Sequence, residues 1–445
     1  MMSIQLLIVV LSLLAVHVAG IAAGRKGSKD FVLAGRSLNV PMLVATLVAT
    51  WYGAILASGE FVLRYGIVFI LCFGVPYYAV AILYSTWLSR RVRDQQSASI
   101  PEQIGRAYGP AARRVAAVLL LVITVPASYQ LMLGHLISYE LGWPLTTSVI
   151  VATIISVSYV LIGGLRSDVF ANVLQSILMF VGMGLLIVAS FGTFGSPVAL
   201  RNETTAPLFN IPGSLGWGGV LSWFVIAMQT FIDPNFYVRT ASASSASVAR
   251  RAILWSVACW VVFDLLQLLG GLYAARFLPG VDPRSSYLAL SSATLPAWGQ
   301  GVVLAGIVAA ISSTLSGYAL VSATMIADEV LPMFRGVPGG TAYRNRIGLV
   351  VTSVIGAVVA INVPSFIDLI FNASSIVVSA LLFPVIISHT RRITDFRQGI
   401  IVAMVIPALA ALTSIVIDVG QPAMIGLSAS VLVHLFQFMQ GARRS

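Results

Sequence analysis

Long, nearly uninterrupted apolar runs dominate this chain, and they are too long for strands or for one buried face of a soluble helix. Crossing about 30 Å of hydrocarbon takes about 20 mostly apolar residues. Thirteen such runs are predicted, at 3–23, 42–63, 67–89, 112–139, 145–163, 170–191, 218–236, 252–275, 298–325, 347–364, 366–389, 398–417 and 422–440. Each reads as helix, because hydrocarbon offers backbone groups no partners but one another. The narrowest division falls between the tenth and eleventh runs, at Pro364 and Ser365.

Composition agrees with the pattern. Of 445 residues 58% are apolar and only 26 basic plus 15 acidic residues carry charge, a share of 9% against about 25% in soluble domains. That excludes a soluble enzyme, a secreted module and a disordered chain. The net charge of +11 suggests nucleic acid only until its positions are mapped. With the N-terminus outside, 22 of the 26 basic residues fall on one side. They include Arg25, Lys26, Lys29 and Arg36, then Arg90, Arg91, Arg93, Arg106, Arg113 and Arg114, Arg239 further on, and the C-terminal tail. The opposite side holds Arg64, Arg201, Arg276 and Arg284. This bias puts the larger set and the C-terminus in the cytoplasm. The charge therefore predicts a multi-pass protein of the cell membrane, with lipid as its surroundings and no nucleic-acid partner. The first run has no basic residue before it, so it reads as a retained helix and not a cleaved leader. Cys72 and Cys259 sit in separate apolar runs, and the four histidines are scattered. Neither a disulfide framework nor a metal cluster is expected, and the short connections leave no room for an enzyme domain.

Polar residues inside the runs are site candidates, since each is costly in a bilayer. Asp264 shares a helix face with Gln267, Asp368 lies in the eleventh run, and Glu60 and Asp418 lie near span ends. The second run, VATLVATWYGAILASGEFVLRYG, places Thr46, Thr50, Trp51, Tyr52, Gly53, Ser58 and Gly59 at mid-membrane. Small residues allow close packing, and glycine beside bulky aromatics also allows an unwound stretch whose carbonyls line a cavity. The ninth run clusters Ser312, Ser313, Thr314 and Ser316 in one turn. Ser313 and Thr314, with the Ala310 carbonyl one turn earlier, make three oxygens converging on one point, which is the chemistry a hard cation takes. A second element must supply the remaining oxygens.

At these residues the chain resembles the sodium:solute symporter family. The match runs from Asp30 to Arg397, over 80% of the chain. It is carried by DFVLAGRSL, by VLRYGI from Val62, by GGLRSDVFANVLQ from Gly163, by DPNFYVRTASASSASVARRA from Asp233, and by AAISSTLSGYALVSATMIADEV ending past Asp328. Together these strings are specific because they occur in order and on the expected sides.

The resemblance implies an all-α polytopic fold of about thirteen transmembrane helices, a LeuT-like core of inverted five-helix repeats in one transporter domain over residues 1–445. Residues 3–23 are the extra N-terminal helix, 42–191 the first repeat, 218–389 the second and 398–440 the C-terminal helices. It implies sodium-coupled symport of a small organic solute into the cell by alternating access, in a monomer. The family's sodium ligands carry over to Ser313, Thr314 and the Ala310 carbonyl. The second-run carbonyls fall on Leu47 and Thr50, or with a two-residue gap on Ala49 and Tyr52. Solute contacts are expected from Ala49, Trp51, Ala54, Gln130, Trp223 and Gln229. Where the family has an aspartate in TDxxQ, this chain has Asn172, and Ser316 and Gly317 stand where a second sodium site keeps two serines. The substitutions imply one sodium per cycle. Two other readings stay open: a proton-coupled carrier titrating at Asp264 or Glu60, and a transporter-derived sensor without flux.

Overall fold

A computed structural model describes residues 3–25, 32–95, 97–202, 204–333, 340–363, 365–390 and 399–442. Asp30, Lys26 and Lys29, the basic residues at 335, 391, 392, 397, 443 and 444, and Pro364 lie outside them. Every long element is helical. We label them α1 Ile4–Arg25, α2 Val40–Ala49, α3 Ile55–Tyr65, α4 Ile70–Asp94, α5 Ile100–Tyr108, α6 Pro110–Thr124, α7 Ala127–Leu141, α8 Leu145–Ser158 and α9 Val160–Phe194. The second half holds α10 Gly216–Ala227, α11 Pro234–Ala241, α12 Ala246–Phe277, α13 Ser286–Thr294, α14 Ala297–Met325, α15 Thr341–Asn362, α16 Phe366–Ser388, α17 Ile400–Val416 and α18 Pro422–Ala442. Among the described residues eleven helical stretches are long and apolar enough to cross a membrane, and α8 and α17 are shorter apolar helices. The tenth and eleventh runs are indeed separate helices, ending at Asn362 and starting at Phe366.

Two spans are interrupted at mid-length, and the sequence accounts for both. Between α2 and α3 the chain passes through Thr50 and Trp51 and a short 3-10 turn, Tyr52–Ala54. Gly53 is required there because a Cβ would lie 2.3 Å from the Thr314 Cβ. Between α10 and α11 a 3-10 turn, Met228–Phe231, runs into Ile232 and an extended Asp233 whose side chain caps α11 at the Phe236 amide. Pro234 follows at the first helical position, where its missing N–H costs nothing.

The centre of the molecule is α14. Its most apolar stretch is 89% buried, against 22% for α1 and 28% for α9, so α14 is the helix the others surround. α9 packs along it, α1 covers the groove between α9 and α14, and the α2–α3 break crosses its middle. Helix α9 is longer than expected: it begins at Val160, bends at Gly164 (φ 57°) and carries Asp168 into the interior, where the sequence pattern suggested a connection. Arg239, counted above among cytoplasmic loop charges, is fully buried in α11. The reason is the same in both cases: each charge has a partner of opposite sign inside the protein.

Candidate functional site

Three buried polar groupings surround the two breaks. The first lies where α14 meets the end of α2. The Ser313 hydroxyl is 2.7 Å from the Ala49 carbonyl and 2.8 Å from that of Ala310, while the Thr314 hydroxyl is 3.5 Å and 3.1 Å from the same two oxygens. Two hydroxyl protons thus face two carbonyls, and among the described residues no positive group joins them. A hard cation holding oxygens at about 2.3–2.6 Å spaces neighbouring oxygens roughly 3.3–3.6 Å apart, so this neutral oxygen set needs only slight opening to surround one. The carbonyl that meets the pair is Ala49's, the position reached with the two-residue gap. Leu47 is buried half a turn earlier within α2, and the Thr50 hydroxyl turns back to the Thr46 carbonyl at 2.7 Å. The Tyr52 carbonyl accepts the Ile55 amide.

The second grouping starts three residues further along α14. Ser316 donates to Asp168 at 2.7 Å and accepts from the Tyr159 hydroxyl at 2.8 Å. The other Asp168 oxygen takes the Arg239 guanidinium and the Asn172 amide, the latter at 3.0 Å. Arg239 also donates to Thr46 at 2.8 Å and to the Asn235 side chain, and Asn172 reaches Thr46 at 2.7 Å. A carboxylate one helical turn before Asn172 therefore occupies this region, already matched by a guanidinium. A Cβ at Gly317 would meet Asn235 and Arg239 at 2.9–3.0 Å, so the guanidinium fills the space where a further hydroxyl would stand. Sequence reasoning missed Asp168 because a predicted span boundary put it in a connection.

The third is a cavity of about 90 Å³ between the two breaks. Of the residues expected to contact solute, Trp51, Ala54 and Gln229 line it, while Ala49, Gln130 and Trp223 do not; Thr50, expected as an ion ligand, lines it too. Gln130 instead ties α7 to its neighbours, donating to Thr153 and to the Ser353 carbonyl, both at 2.9 Å. Trp223 packs among Phe61, Phe73 and Phe371. In their place the wall holds Phe73, Tyr77, Tyr129, Tyr318 and Asp233. An aspartate preceding proline after an apolar run was the available signal for Asp233, since it is a helix-capping pattern.

The remaining ionisable candidates are engaged elsewhere. Glu60 pairs with Arg64 one turn on, and Asp264 accepts from the Tyr78 hydroxyl and the Gln267 amide. Asp368 lies in the first turn of α16 and Asp418 just past α17.

The model of the sodium:solute symporter family matches residues 31–407. The chain belongs to this family. Among curated relatives it is 26% identical over 239 residues to the high-affinity proline transporter PutP of Bacillus subtilis, covering 51% of this chain and 50% of that protein. It is 24% identical over 413 residues to a high-affinity choline transporter of Drosophila melanogaster, covering 84% of this chain and 65% of the other. The chain thus spans about half to two thirds of the length of these relatives. Among solved structures, a Na+-coupled sialic acid symporter in a substrate-bound outward-open state superposes with a TM-score of 0.82 at 13% identity, over 99% of this chain and 98% of that one. The nucleobase-cation-symport family transporter Mhp1 gives 0.62 over 93% and 95%. The fold is that of the LeuT-like transporters, and the family to which the chain belongs is one of transporters, not enzymes.

Proposed function

We propose that this protein is a sodium-coupled symporter that carries a small organic solute into the cell by alternating access, with one sodium ion per solute. The observation that supports this most directly is the meeting of Ser313 and Thr314 with the Ala49 carbonyl at the α2–α3 break. Sodium bound there joins the broken helix to central α14, so ion binding biases how the two halves sit around the adjoining cavity. The core then comprises two inverted repeats, 42–191 and 218–389, with the N-terminus outside, the C-terminus cytoplasmic, and the protein working as a monomer. Ala310, Ser313, Thr314 and Ala49 are the proposed ion ligands, with Leu47 in the last turn of α2 and Thr50 on the break beside them. Trp51, Ala54 and Gln229 are proposed to contact the solute.

Coupling is reciprocal: whatever sodium adds to solute affinity, solute adds to sodium affinity. One sodium entering down about 100 mV supplies about 2.3 kcal/mol, and a tenfold gradient about 1.4 kcal/mol. Together these support on the order of 500-fold accumulation of a neutral solute. A second sodium is disfavoured because Arg239 already neutralises Asp168. The test is uptake in proteoliposomes with labelled sodium and labelled solutes. A sodium-to-solute ratio near one supports the reading, and a ratio near two overturns the single-ion part. Proton coupling is the second reading, favoured by the burial of Asp264 in α12. Uptake that ignores sodium and follows a pH step would establish it.

A further inference from the structure

The cavity between the breaks holds a carboxylate, Asp233, that no basic group contacts among the described residues. Asp233 is 5% exposed, and its carboxylate accepts only from neutral donors among the described residues: the Phe236 amide at 2.7 Å, the Tyr318 hydroxyl and the Gln229 side chain. Among the described residues it forms no ion pair. The nearby guanidinium, Arg239, is bonded instead to Asp168. Among the described residues no lysine, arginine or histidine lines the cavity. A buried carboxylate without a cation is costly, and a carboxylate has about four acceptor positions, so capacity remains for a charged donor.

The rest of the wall has matching chemistry. Trp51, Tyr77 and Tyr129 line the space beside Asp233. Trp51 is backed by Trp260, stacked at 4.3 Å, and meets Tyr77 edge-on at 5.5 Å; Tyr129 stacks on Tyr318 at 5.5 Å. These rings are held by neighbours and do not need the solute to order them. Electron-rich rings attract a cation within about 6 Å of their centres. The same geometry argues against an acid. At the N-terminus of α11, beside the cavity, the Phe236 amide is already taken by Asp233, so a solute carboxylate would meet a carboxylate there.

We infer that the transported solute is a small organic cation, with its ammonium group between the Asp233 carboxylate and the rings of Trp51, Tyr77 and Tyr129. This rests on the symporter reading above, because it names the cargo of the same cavity. Thr50 and Gln229 on the same wall are the groups available to a hydroxyl or carbonyl elsewhere on the solute. Each cycle then moves two positive charges inward, one on sodium and one on the solute, while the sodium-to-solute ratio stays at one.

The test is thermal unfolding of the purified full chain at constant ionic strength, in sodium or potassium. The probes are methylammonium, tetramethylammonium, choline and trimethylglycine, set against 3,3-dimethylbutan-1-ol, the neutral carbon isostere of choline, and 3,3-dimethylbutanoate. Stabilisation by an ammonium compound in sodium, with none from the isostere or the acid, is the expected result. Asp233→Asn should weaken that binding on the order of 10- to 100-fold while the shift caused by sodium alone persists. Tyr129→Leu, which keeps the carboxylate, should weaken it about 2- to 30-fold and serves if Asp233→Asn does not fold. Equal stabilisation by the isostere, or no response to any ammonium compound in protein that still responds to sodium, overturns the cation inference and leaves the symporter reading standing. Absence of any sodium response overturns the symporter reading itself.

Discussion

Two polar clusters sit three residues apart on the same face of α14, and they solve burial in opposite ways. Around Ser316 the carboxylate of Asp168 and the guanidinium of Arg239 neutralise each other, with Asn172, Thr46, Tyr159 and Asn235 filling the remaining hydrogen-bond positions. Around Ser313 and Thr314 every group is a neutral oxygen, and the cluster bridges a broken helix. The first carries its own cation and therefore binds α9, α11 and α14 into a fixed unit. The second has no cation of its own among the described residues, and under the proposed reading takes one from solution, so its stability would depend on sodium. A chain with Asn172 in place of an aspartate is therefore not simply missing a charge: a carboxylate stands one turn earlier, at Asp168, paired with Arg239.

The comparison fails most visibly if the closed cluster tolerates loss of its cation. Arg239→Ala leaves Asp168 buried and unpaired, which should cost about 3–5 kcal/mol by denaturant or thermal unfolding; the double variant with Asp168→Asn should recover much of it. A small loss from Arg239→Ala alone would mean that Asp168 is not held as an ion pair. Asn172→Asp replaces a donor at 3.0 Å from Asp168 by a second carboxylate, and should destabilise by about 1–3 kcal/mol. That penalty should shrink as pH falls, because protonating one of the two carboxyls relieves the repulsion.

The open cluster makes smaller, condition-dependent predictions. Gly53→Ala drives a methyl into Thr314 and should cost about 1–3 kcal/mol, together with most of the stabilisation that sodium gives. Thr314→Ala removes one hydroxyl and should change stability without sodium by about 1 kcal/mol or less. A variant that lost several kcal/mol in sodium-free buffer would place Thr314 in the core framework and not in an ion site.

Much of this was legible in the sequence, for identifiable reasons. Apolar runs dictate helices because the bilayer leaves the backbone no alternative, and the broken second run announced itself through Gly53 beside Trp51 and Tyr52. Ser313 and Thr314 stood out because hydroxyls in one turn of an apolar helix need partners. What stayed hidden depended on pairing across distant elements. Arg239 read as a loop charge and Asp168 as part of a connection until α9 and α11 brought them together. Gln130 looked like a pocket residue, yet its amide is spent on Thr153 and Ser353. Tyr129, one residue earlier, lines the cavity, since neighbours on a helix point about 100° apart. The choice between Leu47 and Ala49 is a matter of register, and the contact the α14 hydroxyls make with the Ala49 carbonyl depends on a packing the sequence does not display.

The most direct test of the central claim is a sodium titration of unfolding at constant ionic strength, for the native chain and for Thr314→Ala and Ser316→Ala. Stability should rise with sodium as for a single site, by about 2.7 kcal/mol at a hundredfold excess over the dissociation constant. The rise should vanish in Thr314→Ala and persist in Ser316→Ala. An equal rise in potassium, or a sodium response that survives Thr314→Ala unchanged, would contradict the account.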